Sequence, residues 1–256
     1  MWNRKELKTR AKAVLKTSYW KAFLVSIIIL ITGGGIRFPS INYEFKKSSS
    51  HGFPFIGADS FFSSNLFLVL AALTLVVIML IVLSLIAFRI FVGYPLEVGG
   101  RRYFVQSAQN DTDLNYIGYG FGKGRYIDIV KSMLWRGIFN FLWFLLFIIP
   151  GIVKWYSYLM VPYILADNPN IGYRRALKLS MDMTYGEKWR IFIFHLSFIG
   201  WYILGMITFG IGTLFVMPYV NASEAEVYLT LRQKALDKGL CTYQELNLDE
   251  PSQPEF

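Results

Sequence analysis

In this 256-residue chain 54% of residues are hydrophobic, 18% aromatic and only 17% charged, with a mean hydropathy of +0.40. A soluble domain is roughly 45–50% apolar and about 25% charged, so an ordinary water-soluble fold is excluded. The net charge of +9 comes from basic residues that flank apolar stretches; this disfavours nucleic acid as a partner and points to anionic lipid headgroups.

Residues 3–18 read as an interfacial amphipathic helix. Leu7, Ala11, Val14 and Leu15 share one face and Lys5, Lys8, Lys12 and Lys16 surround the other. A first span follows over 20–36 and ends in Gly33-Gly34-Gly35. It reads as a retained membrane helix, because a long basic stretch precedes it and no small-x-small cleavage pattern follows. A polar loop over 37–65 leads to residues 66–88, which hold no ionisable side chain in 23 positions. About 20 apolar residues cross a hydrocarbon layer roughly 30 Å thick, so this is the plainest transmembrane helix.

Residues 93–136 are basic and contain a short amphipathic segment over 96–109. The glycine-rich run over 118–124 lacks the hydroxyl residue of a phosphate loop and reads as a flexible hinge. Residues 137–165 and 191–220 are each too long for one span and are interrupted, the first at Pro150-Gly151 and Lys154, the second at Gly200, Gly205, Gly210 and Gly212. If each is a hairpin, 22 of the 26 Lys and Arg fall on one side of the membrane; only Arg37, Lys46, Lys47 and Lys154 fall on the other. If each is a single span the split is 17 against 8, with Lys154 inside the membrane. Basic loops stay cytoplasmic, so the hairpin arrangement is expected.

The expected fold is therefore an all-α membrane protein of about six transmembrane helices in three hairpins, with cytoplasmic amphipathic interfacial helices. Three regions are expected: an interfacial helix over 1–19, a polytopic domain over 20–220, and a cytoplasmic helix with a polar tail over 221–256. A repeat 56 residues apart is suggested by Val161-Pro162-Tyr163-Ile164-Leu165-Ala166 and Met217-Pro218-Tyr219-Val220-Asn221-Ala222, each ending a hairpin and leading into an amphipathic helix. Residues 89–102, with Tyr94-Pro95, form a third and decayed copy, and chance similarity is the alternative.

Leu142-Trp143-Phe144-Leu145-Leu146-Phe147-Ile148-Ile149-Pro150-Gly151-Ile152-Val153-Lys154, followed by Tyr156-Ser157-Tyr158 and Val161-Pro162-Tyr163-Ile164-Leu165-Ala166-Asp167-Asn168-Pro169, resembles the bacterial integral membrane family catalogued as domain of unknown function 975. So do Ser180-Met181, Lys188-Trp189-Arg190, Leu196-Ser197-Phe198-Ile199-Gly200-Trp201, Gly210-Ile211-Gly212, Pro218-Tyr219 and the opening Asn3-Arg4-Lys5-Glu6-Leu7-Lys8 with Tyr19-Trp20. The resemblance implies a multi-pass plasma-membrane protein, mostly of Gram-positive bacteria and of no established activity, while the charge count places both ends in the cytoplasm. It brings no catalytic residues.

Candidate functional positions each have a structural reading beside them. Pro150-Gly151 suits a tight turn at the outer face, or a broken helix lining a site at mid-membrane. Asp167 or Asn168 suits the cap of a following helix; alternatively Asp167 pairs with Arg174, Arg175 or an arginine of another repeat. Ser223-Glu224-Ala225-Glu226 has a capping-box pattern. His195 stands in an apolar helix, either as a neutral hydrogen-bonding residue near headgroups or as a functional group at membrane depth. Trp201 and Tyr158 would line a cavity if one existed, and Pro218 and Tyr219 mark the second repeat. Two histidines and the lone Cys241 do not make up a zinc set. No catalytic residue, metal or cofactor is expected; the expected function is non-enzymatic, in envelope homeostasis or membrane-protein interaction, with transport or lipid flipping as the alternative.

Overall fold

The computed structural model describes residues 2–32, 65–207 and 210–249, which are helices joined by short turns. The end of the first expected span at 33–36, the loop over 37–64 with Arg37, Lys46, Lys47 and His51, and the tail over 250–256 lie outside the described residues. The chain forms two compact units, one of residues 36–89 and one of the remainder.

In the smaller unit, helix α2, the second expected span, covers Asn65–Phe88. Every side chain from 68 to 88 is exposed and none is charged. A helix apolar all round needs an apolar surrounding, which is the signature of lipid contact.

The larger unit begins with α1, Arg4–Ile31, whose Asn3 side chain accepts from the Lys5 amide at 3.1 Å. At Ser18 the backbone leaves the helical region (φ −127°, ψ 20°), and its hydroxyl donates to the Val14 carbonyl. After a π-turn at Arg89–Gly93 comes α3, Tyr94–Ser107. A 3₁₀ turn at Leu114–Phe121 packs its backbone on α3: a Cβ added at Gly99 would lie 2.1 Å from the Ile117 carbonyl oxygen, and one at Gly120 would lie 2.4 Å from the Pro95 oxygen. The glycine-rich run is thus a docked turn in contact with a helix and not the expected hinge.

Next come α4, Tyr126–Leu146, α5, Ile148–Ser157, and α6, Val161–Asp167. The chain turns at Phe147 (φ −158°, ψ 146°), three residues before the expected Pro150-Gly151. Pro150 lies in the first turn of α5, where amides have no helical acceptor and a missing N–H costs nothing. Gly151 has no left-handed backbone; it lets α5 approach α4, since a Cβ there would lie 2.7 Å from the Phe144 ring.

The remaining helices are α7, Tyr173–Thr184, α8, Lys188–Leu196, α9, Ile199–Ile207, and α10, Ile211–Asp237. Pro218 sits inside α10, which runs on without a break. The expected boundary there, and the capping box after it, are absent. Five helical stretches are long and apolar enough to cross a membrane among the described residues.

Candidate functional site

The three proline-led segments converge. Pro95 opens α3, Pro162 opens α6 and Pro218 lies in α10, and these helices pack against one another or share hydrogen bonds in one interior. Arg101 and Glu224 stand six residues after their prolines and pair across the core, Nη1 to Oε2 at 3.1 Å. The same Nη1 donates to Tyr163 Oη at 3.0 Å and Asn221 Oδ1 at 2.9 Å, while Tyr163 Oη donates to Glu224 at 3.2 Å. Asn221 Nδ2 reaches Ser26 Oγ of α1 at 3.0 Å. His195 Nε2 lies 3.2 Å from the other Glu224 oxygen, Oε1. Beside this cluster Arg136 of α4 pairs with Glu97 of α3 at 3.3 Å. All of these carboxylates are buried; a buried charge survives only when paired and hydrogen-bonded in this way.

A second cluster surrounds Asp167, the last residue of α6. Tyr228 Oη donates to Asp167 Oδ2 at 2.6 Å and Arg232 Nη1 at 2.8 Å. Burial, and then the Asp167 charge, push the Tyr228 phenol well above its usual range, so it remains a donor. Asp167 therefore caps no helix and pairs with neither Arg174 nor Arg175; its arginine comes from α10, which carries the second copy of the repeat. Asn168 accepts from the Asn170 amide at 2.9 Å and donates to the Glu245 carbonyl at 2.9 Å. Arg174 lies over its neighbour Tyr173 and is exposed.

Arg175 grips the C-terminal strap that follows α10. Its Nη2 donates to Glu245 Oε2 at 2.9 Å and to the Leu240 carbonyl at 2.7 Å. The hydrogen bond from Arg175 holds the Glu245 carboxyl below its usual range. Cys241 belongs to this strap and is buried, and burial followed by the Glu245 charge pushes its thiol up, making it a poor nucleophile. Trp201 on α9 is exposed and Tyr158 is buried. Tyr219 packs edge-on against Phe198, with Lys12 over its ring.

Beside the Arg101–Glu224 pair the helices pack closely. The space bounded by Leu159, Tyr163, Ile191, Phe194, His195 and Glu224 holds no water-sized volume (about 0 Å³). An open groove of about 1010 Å³ lies instead between the start of α1, the α7–α8 turn and the far end of α10, lined by Trp2, Arg10, Glu187, Arg190, Glu226 and Lys234. Burial opposes ionisation of Glu187, but Lys234 and Arg190 outweigh it and hold its carboxyl below the usual range. Glu226 is 5% exposed and its carboxylate makes no hydrogen bond among the described residues. Burial pushes its pKa up against the pull of Arg10. Among the described residues no three His, Cys, Asp or Glu side chains stand together in a metal-holding group.

Lys154 departs from expectation. It was expected across the membrane from Lys178 and Lys188, yet its Nζ lies 3.9 Å from Met181 Sδ of α7 and close enough to Lys188 for their charges to interact.

The Arg101–Glu224 cluster was missed from the sequence, whereas the pairing of Asp167 with an arginine beyond its own segment was one of the two readings offered. The signal available was the equal offset of Arg101 and Glu224 from Pro95 and Pro218; opposite charges at matched repeat positions suit facing helices. No curated protein and no solved structure matches the chain. The model of the family described as "Protein of unknown function (DUF975)" matches residues 65–235, about two thirds of the chain. That range holds Arg101, Tyr163, Asp167, His195, Glu224 and Arg232, while α1 before it and Glu245 after it lie outside. With most of its length, and both clusters, inside the match, the chain belongs to the DUF975 family.

Proposed function

We propose that this is a non-enzymatic, multi-pass protein of the bacterial plasma membrane, with both ends cytoplasmic, that acts in envelope homeostasis by binding at the membrane surface. The observation that carries this reading is the space between Tyr163, His195 and Glu224, which holds no water-sized volume (about 0 Å³). A solute path needs a wettable cavity with polar groups free to exchange partners. Here Arg101 and Glu224 are held by Tyr163, Asn221 and each other. The open space lies at the groove beside Glu226, which suits an external protein partner. The exposed Lys5, Lys12 and Lys16 of α1 support contact with anionic headgroups, while Lys8 is taken up by Ser197, and nucleic acid is not the partner.

The test is reconstitution of the full chain in liposomes that carry a fluorescent phospholipid in both leaflets. Chemical reduction from outside is expected to bleach about half of the label, as in protein-free vesicles. Bleaching beyond that half would establish lipid flipping and overturn the reading. In cells, a photo-crosslinking residue at Gln233, on the groove, is expected to trap a discrete membrane-protein adduct that a probe at exposed Ile78 does not.

A further inference from the structure

We propose that the α4–α5 hairpin enters a single leaflet of the bilayer and turns back inside it, so that its partner is the acyl chains of the leaflet bordered by the protein's basic residues. The inference rests on the level of Lys154. Because its ammonium meets Met181 and lies near Lys188, it shares a level with the segment that carries Arg174, Lys178 and Arg190. Phe147, the turning point, is seven residues away. At 1.5 Å per residue the tip reaches about 10 Å beyond Lys154, against roughly 30 Å for the full hydrocarbon thickness. Snorkelling of the lysine stem adds a few ångströms and does not close that gap.

The tip is built for lipid. Residues 137–153 hold no ionisable group, and Phe147, Ile148 and Ile149 at the turn are 66%, 71% and 77% exposed. A turn that met water would carry polar residues. At the turning residue itself both backbone groups are bonded within the hairpin, which lowers the cost of placing it in hydrocarbon: the Phe147 amide donates to the Trp143 carbonyl at 3.1 Å, and the Phe147 carbonyl accepts from Gly151 at 3.0 Å. Pro150, in the first turn of α5, presents no N–H at all. Gly151 lets the two arms close on each other at Phe144, which keeps the wedge narrow.

This placement moves Lys154 to the basic side, leaving Arg37, Lys46 and Lys47 as the three basic residues of the opposite side. It stands apart from the non-transport reading, because a leaflet-inserted hairpin can belong to a scaffold or a carrier alike.

The experiment places single cysteines in a Cys241→Ser background: Lys154→Cys, Lys178→Cys and Phe147→Cys, each checked for a single size-exclusion peak. They are treated with a membrane-impermeant maleimide in intact cells and in inverted vesicles. Lys154→Cys and Lys178→Cys are expected to react from the same side, within about two-fold in rate, and Phe147→Cys from neither side until detergent is added. A Lys154→Cys that reacts only from the side opposite Lys178→Cys, or a Phe147→Cys reached from that opposite side, would overturn the proposal. If Lys154 and Lys178 both react from outside cells, the hairpin stays re-entrant and the cytoplasmic assignment of the ends fails instead. A Phe147→Trp variant gives a second measure: quenching is expected to be strongest with lipids brominated midway along the acyl chains, and strongest quenching at the far headgroups would sink the idea.

Discussion

Helices α2 and α10 lie at opposite extremes of the same chemistry. Along α2 each described side chain is apolar or a small hydroxyl, and each is exposed. Along α10 the buried positions include Asn221, Ser223, Glu224, Glu226 and Tyr228. In water the first pattern would aggregate. In a bilayer the solvent is as apolar as leucine, so hydrophobicity reports contact with lipid while polar side chains report contact between helices. A helix in this chain is therefore understood by what its polar residues meet.

The sharpest way to break that comparison is Glu224→Ala. It leaves Arg101 buried without its carboxylate, and removing one partner of a buried pair costs about 3–5 kcal/mol. The full chain in detergent is expected to lose its cooperative thermal transition or to melt far lower. The double variant Arg101→Met with Glu224→Met is expected to recover much of the loss, since paired apolar replacement is often neutral. A Glu224→Ala protein that melts like the wild type would show that the cluster is not structural.

A paired truncation comes next in size. Ile164, fully buried on α6, is expected to cost about 2–5 kcal/mol when cut to Ala. Ile78, 61% exposed on α2, is expected to cost within about 0.5 kcal/mol by the same melting measurement. Equal costs would mean that α2 is buried against protein.

The strap gives a smaller effect with a defined pH sign. Arg175 lowers the Glu245 carboxyl below its ordinary 4.5, and Lys234 and Arg190 lower Glu187 below the same value. Each binds a proton less readily folded than unfolded. Their contribution is therefore complete well above pH 4.5 and is lost as the pH falls through the lowered folded values. Glu245→Gln is expected to accelerate modification of Cys241 several-fold at pH 7.5, read by mass spectrometry, with little change in melting. An unchanged rate would place the thiol's protection elsewhere.

The apolar run over 66–88 needed no tertiary context to be recognised as a membrane helix. The Arg101–Glu224 cluster did need it, because the two residues lie far apart in sequence and neither announces its partner. Pro150 and Pro218 misled for one reason: proline was expected to mark an end, whereas a first helical turn tolerates it and packing carries α10 through it. Once α10 was expected to begin after Pro218, Glu224 became a capping residue and its buried role was hidden. Lys154 was assigned by counting basic residues, and counting is blind to a hairpin that returns to the side it left.

The uninterrupted course of α10 has a mechanical consequence. At 27 residues it is a rod about 40 Å long, and Glu224 and Glu226 project from it about 200° apart. Glu224 is keyed to Arg101, so the rod cannot twist without breaking that pair. The pair thereby fixes the rotational setting of the whole helix, and with it the direction in which Glu226 faces the groove.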